Sequence, residues 1–309
     1  MPTASPSAEP VLTLSDLERW SFAGTALAVL GHPIGHSLSP PMHNAALAEL
    51  AAAQGRFAAW KYFRFDIRPD GLAQALGLLH ARGFHGVNLT VPHKVPAFGR
   101  VSEVDAGARA VGAVNTLLRE GAGWRGFNTD GYGLAAAVRE DLGLGFAGAA
   151  VVVLGAGGAA RGAAVECLRA GCAALWIANR TRANLDALIA ELAPVAREIP
   201  RQGFEPERPA PGLAPGAIVI NATRAGLLET DPSPVDLARL PRPAAVFDMI
   251  YNPPATRLLA EARALGIPCA GGLAMLVHQG AKSLEIWSGI PAERTAPAMR
   301  AAAAAALGR

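Results

Sequence analysis

The sequence predicts an α/β fold in two domains, on three observations. Short apolar runs alternate with amphipathic segments that end in glycine from Ala26 onward. A second such series begins near Gly131, around a strand, a glycine turn and an Ala-rich segment. The chain of 309 residues also exceeds the roughly 100 to 200 that one core usually holds.

In the first series the predicted strands are Ala26 to Gly31, Lys61 to Ile67 and Gly86 to Thr90. Helices run between them from about Met42 to Gln54 and Gly71 to Arg82, stopped by Gly55 and Gly83. Parallel pairing is expected. In the second series the strands are Ala150 to Leu154, Ala174 to Ala178, Ala217 to Asn221 and Ala245 to Ile250. Glu205 to Gly216 carries four prolines and two glycines, which predicts an irregular surface connection. Helical patterns over Leu273 to Ser288 and Ala292 to Leu307 close the chain, and the alanines from Ala301 to Ala306 favour helix intrinsically. Residues 1–24 read as an N-terminal extension, frayed over the Ser-, Ala- and Pro-rich stretch Pro2 to Pro10, which has neither the basic start nor the apolar core of a secretory signal.

Composition narrows the function. Hydrophobic residues at 51% against 17% charged describe a chain able to bury a large core. The net charge of +3 comes from scattered Lys and Arg with no basic run, so no nucleic-acid or membrane partner is expected, whereas a small anionic ligand fits. Apolar runs stop far short of the ~20 residues that cross a bilayer. Cys167, Cys172 and Cys269 are odd in number and lack C-x-x-C spacing, which points to a reducing, cytoplasmic setting rather than disulfides or zinc. His32 and His36 are separated by Pro33 and Gly35, so no metal site is expected there. Gln279-Gly280-Ala281-Lys282-Ser283 only glances at a P-loop, since it lacks adjoining Gly-Lys-Ser and lies in a helical pattern.

The strand Val151 to Leu154 runs directly into Gly155-Ala156-Gly157-Gly158-Ala159-Ala160. Gly155 permits a tight turn, Gly157 lets backbone approach a pyrophosphate, and Ala160 takes the small position where helix packs on strand. The helix N-terminus offers N–H groups to the anion. The next strand ends in Asn179-Arg180-Thr181, with no acid for a ribose 2′-hydroxyl. Arg180 can pair with a 2′-phosphate and Thr181 can add a hydroxyl, which favours NADP over NAD. The plainer alternative is that Thr181 caps the following helix and Arg180 is a solvated charge.

Polar side chains gather at other strand ends. Ser37 and Ser39 lie two positions apart on a proline-braced loop and can face a carboxylate, unless Ser39 only caps the next helix. Asn88 and Thr90 share one face of their strand, because side chains alternate with period two. Lys94, just past Pro92, can reach the same face as general acid or base, although a lone lysine after a turn is usually solvated. Asn115 and Asp130 add an amide and a carboxylate at two further strand ends, with Asp130 also open to a capping role.

Together these motifs resemble the shikimate dehydrogenase family, in order, from about Gly31 to Gly289. The likeness is carried by Gly31-His32-Pro33-Ile34-Gly35-His36-Ser37-Leu38-Ser39-Pro40-Pro41-Met42-His43-Asn44, by Asn88 to Lys94, and by Gly112-Ala113-Val114-Asn115-Thr116. Asn128-Thr129-Asp130, the glycine turn, Asn179-Arg180-Thr181, Asp248-Met249-Ile250-Tyr251-Asn252-Pro253 and Gly272 to Gln279 complete it. The resemblance implies NADP-dependent, metal-free, reversible reduction of 3-dehydroshikimate to shikimate, on the route to chorismate and aromatic amino acids. It implies that Lys94 and Asp130 are catalytic, that Ser37, Ser39 and Tyr251 hold the substrate carboxylate, and that Asn88, Thr90, Asn115 and Gln279 bind ring hydroxyls. Gly155, Ala156, Gly157, Gly158 and Ala159 would hold the pyrophosphate, Asn179, Arg180 and Thr181 the adenosine phosphate, and Met249 and Gly272 would lie near the nicotinamide. The domains it implies are a substrate domain over residues 25–130 plus 273–309, with the C-terminal helices packing back on it, and a Rossmann-type NADP domain over 131–272. Monomer and homodimer are both compatible with it.

Two departures bear on the cofactor. Arg224 stands where the family's Asn-Ala-Thr loop usually ends in Ser or Pro, and Asn184 where a basic residue is frequent; Arg182 or Arg224 could restore that charge. A quinate/shikimate dehydrogenase using NAD(P), or a silent NADP-binding regulator, are the rival readings. The intact Lys94 and Asp130 stand against the regulator.

Overall fold

The computed structural model describes residues 10–308. The chain divides into two compact units, Met1–Thr129 with Gly280–Arg309, and Asp130–Gln279.

The first unit opens with the short helix α1 (Leu14–Glu18) and then alternates β1 (Thr25–Gly31), α2 (Ser39–Ala53), β2 (Trp60–Asp66), α3 (Leu72–Ala81) and β3 (Gly86–Leu89). It continues through β4 (Glu103–Val104), α4 (Ala106–Val111), β5 (Thr116–Glu120) and β6 (Gly123–Phe127). The strands form one sheet in the order β2-β1-β3-β5-β6-β4. β1 pairs in parallel with β2 and β3, as the strand–helix alternation predicts. β5, however, runs antiparallel to β3 and β6. For β5 and β6 the physical reason is the two-residue turn opened by Gly121 (φ +54°), because only antiparallel neighbours can be joined so tightly.

One face of this sheet carries the core, built from Ala28, Leu30, Phe65, Leu79, Phe84 and Val87. Contrary to the reading of residues 1–24 as an extension, the chain from Leu12 onward belongs to this core; Pro2 to Glu9 lie outside the described residues. Leu12 forms a parallel bridge beside Phe65, its N–H donating to the Arg64 carbonyl at 2.9 Å and its carbonyl accepting from Asp66 N–H at 2.7 Å. Leu17 is fully buried, and the Trp20 ring meets Phe63 edge-on at 4.7 Å. The large apolar side chains in 12–22 cover aromatic rings of β2 and Phe84 that would otherwise face water.

The second unit runs α5 (Asp130–Leu142), β7 (Ala150–Leu154), α6 (Gly158–Arg169), β8 (Ala174–Ala178), α7 (Arg182–Glu191), α8 (Ala193–Ala196) and β9 (Arg201–Phe204). After the irregular stretch at 205–217 come β10 (Ile218–Asn221), β11 (Ala245–Asp248), α9 (Arg257–Ala264) and β12 (Cys269–Gly271). All six strands are parallel, in the order β12-β11-β10-β7-β8-β9. The chain winds outward from β7 through β8 and β9, then returns to β10 and winds the other way, which is the doubly wound dinucleotide-binding topology. The switch of direction between β7 and β10 leaves a crevice at their carboxyl ends.

The chain closes with α10 (Leu273–Ser288) and α11 (Ala292–Ala306), and α11 packs along α2 in the first unit. The first turns of α10 belong to the second unit. Gly133 of α5 explains this: a Cβ there would lie 2.7 Å from the Met275 carbonyl oxygen and 2.8 Å from Gln279 Cβ, so the two helices touch backbone to backbone. Among the described residues no helix is long and apolar enough to cross a membrane.

Candidate active site

In the first unit, Asn88 and Asn115 lie at the centre of a buried polar cluster. Asn88 Nδ2 donates to the Asn115 carbonyl, to Thr116 Oγ1 and to Ser283 Oγ, each at 3.0 Å. A carbonyl oxygen only accepts, so this contact fixes which end of the Asn88 amide is nitrogen. Its Oδ1 then accepts from the Tyr62 hydroxyl at 2.8 Å. Asn115 Oδ1 accepts from Thr129 N–H and Thr116 Oγ1, both at 2.9 Å. Thr129 immediately precedes Asp130, so the Asn115 amide anchors the chain where the predicted carboxylate begins α5. Buried amides satisfied this fully are rigid, because every rotation leaves a desolvated donor or acceptor bare.

The serine loop is held from below. Arg64 Nη1 donates to the Gly35 carbonyl at 2.6 Å, and Ser37 Oγ accepts from Ser39 N–H at 3.3 Å. Ser39 begins α2 without capping it. Asn44 closes the free edge of β2, donating to the Tyr62 carbonyl at 3.0 Å and accepting from its N–H at 2.9 Å. His43 is buried against Tyr62, ring on ring at 4.1 Å, and burial drives its pKa down to about 3.

Thr90 and Lys94 are half-buried on the turn after β3. The Lys94 carbonyl accepts from Val114 N–H at 3.0 Å, which ties that turn to the segment bearing Asn115. His93 is fully buried and bonds through Nε2 to the Ile67 carbonyl at 2.7 Å. Ser37, Ser39, Asn88, Thr90, Lys94 and Asn115 are thus all carried by the first unit. Tyr62, Thr116, Thr129 and Ser283 were not singled out for roles by the sequence reading. The period-two alternation offered a signal for Tyr62, which shares a strand face with Arg64 while Phe63 and Phe65 take the other.

In the second unit a cleft of about 870 Å³ opens at the β7–β10 switch, lined by Gly155, Ala156, Gly157, Asn179, Arg180, Thr223 and Arg224 among others. Gly155 adopts φ +109°, a conformation only glycine holds without strain, and a Cβ there would also lie 3.1 Å from Thr223. Gly157 and Gly158 face open space, and α6 starts at Gly158 with no side-chain cap. This is a fit for a pyrophosphate: approachable backbone, the N–H groups of a helix of 12 residues, and two arginines. Thr181 precedes α7 without a side-chain cap bond, so the capping alternative is not what its hydroxyl does. Arg182, by contrast, is engaged by Asp186, with Nε 2.9 Å from both carboxylate oxygens.

Asp248, buried at the end of β11, orders the loops beyond the sheet. It accepts from Asn221 Nδ2 at 2.9 Å, Ile250 N–H at 3.0 Å and Thr256 Oγ1 at 2.6 Å. Burial raises its pKa, against the lowering effect of those donors. Met249 and Gly272 are neighbours here, since a Cβ on Gly272 would fall 2.1 Å from the Met249 carbonyl oxygen. Tyr251 is half-buried on the same loop, and burial raises its phenol pKa. Gln279, half-buried on α10, donates to the Leu276 carbonyl at 2.8 Å, and Asp130 heads α5. The described residues contain no cluster of three or more His, Cys, Asp or Glu arranged for a metal.

Comparison with known proteins matches two segments of the chain to one family. Residues 29–117 match the family described as shikimate dehydrogenase substrate binding domain, and residues 272–304 match the shikimate 5′-dehydrogenase C-terminal domain. The chain is similar to shikimate dehydrogenase (NADP(+)) of Symbiobacterium thermophilum, 44% identical over 92% of this chain and 95% of that one. Among solved structures it resembles shikimate 5-dehydrogenase from Thermus thermophilus in complex with NADP(H) and shikimate, at 36% identity and TM-score 0.77 over 90% of this chain and 99% of that one. It also resembles the ligand-free 5-ketofructose reductase of a Gluconobacter strain, at 32% identity and TM-score 0.78 over 91% and 99%. Likeness of this degree spans both units rather than one shared module, and on that ground the chain belongs to the shikimate dehydrogenase family.

Proposed function

We propose that this chain is an NADP-dependent shikimate dehydrogenase that interconverts 3-dehydroshikimate and shikimate. The observation that carries the reading is the buried cluster fixing Asn88 and Asn115, a preorganised polar group suited to a small polyhydroxylated acid.

In this reading Ser37 and Ser39 receive the substrate carboxylate, together with Tyr251, and Asn88, Thr90, Asn115 and Gln279 hold ring hydroxyls. Gly155 to Ala159 hold the pyrophosphate, Asn179 to Thr181 with Arg224 hold the adenosine 2′-phosphate, and Met249 and Gly272 border the nicotinamide. When bound, the reduced nicotinamide supplies the hydride that adds to the carbonyl carbon. Lys94 meets the negative charge growing on the carbonyl oxygen and delivers its proton, and in reverse removes the proton from the hydroxyl. The Asp130 carboxylate accepts from a neighbouring substrate hydroxyl and fixes the orientation of the ring.

The test is spectrophotometric: NADP reduction followed with shikimate, with quinate as the parallel control and NAD as the alternative cofactor. Turnover of shikimate with NADP is expected. Preference for quinate would move the chain to the second reading, and NADPH binding without turnover would restore the silent regulator. The likeness to a 5-ketofructose reductase makes that sugar a further control. We also propose a cytoplasmic location, where Cys167, Cys172 and Cys269 stay reduced.

A further inference from the structure

Tyr62 is fully buried, and it joins two parts of the chain whose predicted tasks differ. Its hydroxyl donates to Asn88 Oδ1 at 2.8 Å, and its backbone is held on both sides by the carboxamide of Asn44, on the helix α2 that Ser39 opens. Strand register shows how it gets there. Tyr62 lies beside Leu27 and Asn88 beside Val29, so both side chains stand on the same sheet face with β1 between them. Two strand spacings of about 4.8 Å each separate their backbones, a gap that needs a side chain of tyrosine length.

The phenol is held as a donor. Burial keeps its pKa well above the ordinary tyrosine value, so the proton stays on oxygen. His43 stacks on the ring with the planes 1° apart and is itself neutral, so no charge competes for the hydroxyl. On its other side, Asn88 meets Ser283 and Thr116, whose hydroxyl oxygens lie 2.7 Å apart. With Nδ2 committed to that side, Oδ1 has to face the phenol.

We infer that Tyr62 is a positioning residue that couples α2, the helix opened by the carboxylate-binding serine loop, to the hydroxyl-binding strand, setting the rotation of Asn88 against that helix. The inference deepens the shikimate dehydrogenase reading and rests on it. Tyr62 acts through its two partners and forms no part of the reacting group. A molecule lacking either the carboxylate or the ring hydroxyl therefore uses only half of what Tyr62 organises.

Tyr62→Phe tests this, because it keeps the ring against His43 and removes only the oxygen. Shikimate affinity, measured by calorimetry and as KM, should weaken by roughly tenfold, the scale of one buried hydrogen bond. The KM for NADP should be unchanged. In an Asn88→Ala background the same substitution should cost much less, since the partner through which it acts is gone. Equal losses in the two backgrounds, or a shikimate KM within twofold of the parent, would overturn the coupling. In the unmutated protein the Tyr62 hydroxyl proton should exchange slowly enough to be seen by NMR, with a through-space contact to the Asn88 amide; its absence would overturn the inference without any variant. Parent protein that neither binds nor oxidises shikimate would instead refute the functional reading, which separates the two failures.

Discussion

His93 Nε2 donates to the carbonyl oxygen of Ile67 across 2.7 Å, joining the turn that bears Lys94 to the end of β2. The carbonyl only accepts, so the proton is on Nε2, and burial lowers the pKa of the imidazole and favours its neutral form. His93→Phe fills the same space without the bond. It should lower kcat by roughly tenfold through misplacement of Lys94, with the KM for NADP unchanged. Steady-state kinetics with both substrates varied checks it.

Lys94→Ala removes the ammonium proposed to donate the proton, while the Asn88 and Asn115 cluster stays assembled. Turnover should drop by about 10² to 10⁴, the usual range for general acid–base groups, with shikimate affinity little altered. An unaltered kcat would exclude the role.

The two arginines of the cleft should decide cofactor choice. Arg180→Ala should lower kcat/KM for NADP by at least about tenfold and leave that for NAD nearly unchanged, because only the 2′-phosphate loses its partner. Arg224→Ala should act in the same direction. Arg182 is already held by Asp186, so Arg182→Ala should leave the ratio of the two cofactors as it was.

Acid should destabilise the fold through His43. Its pKa is about 3 in the folded chain against 6.5 ordinarily, so the unfolded chain binds a proton that the folded chain refuses between those values. This contribution is whole above pH 6.5 and is lost as pH falls toward 3, at up to about 1.4 kcal/mol per pH unit. Denaturant titrations from pH 7 to pH 4 should show a shallower acid limb for His43→Phe than for the parent.

Much of this was legible in the chain itself. The strands Ala150–Leu154 and Ala174–Ala178 fall where the apolar runs put them, because a buried parallel strand is apolar on both faces and ends abruptly at glycine or a polar turn. Asn88 and Asn115 were marked by lying as amides in apolar surroundings. The short strands β9 and β12 escaped notice, since three or four residues carry no periodicity. Ser283 escaped for a different reason. Its partners lie 154 to 195 residues away in sequence, and only the return of α10 to the first unit brings a helix hydroxyl beside the Asn88 amide and the hydroxyls of Thr116 and Thr129. The N-terminal segment was misjudged because its composition near Pro2 resembles a tail, while the leucines and aromatics that follow have their reward only in rings far along the chain, such as Phe63 and Phe84.

Leu12 and the Asn44 carboxamide between them occupy the outward hydrogen-bonding groups along the middle of β2, the outermost strand on that side of its sheet. A version of the protein shortened to begin at Thr25 would bare the Arg64 carbonyl and the Asp66 N–H at that edge, together with the rings beneath Trp20. Such an edge is a template for sticking to other molecules, so that shortened form should clump during expression even where its chemistry is intact.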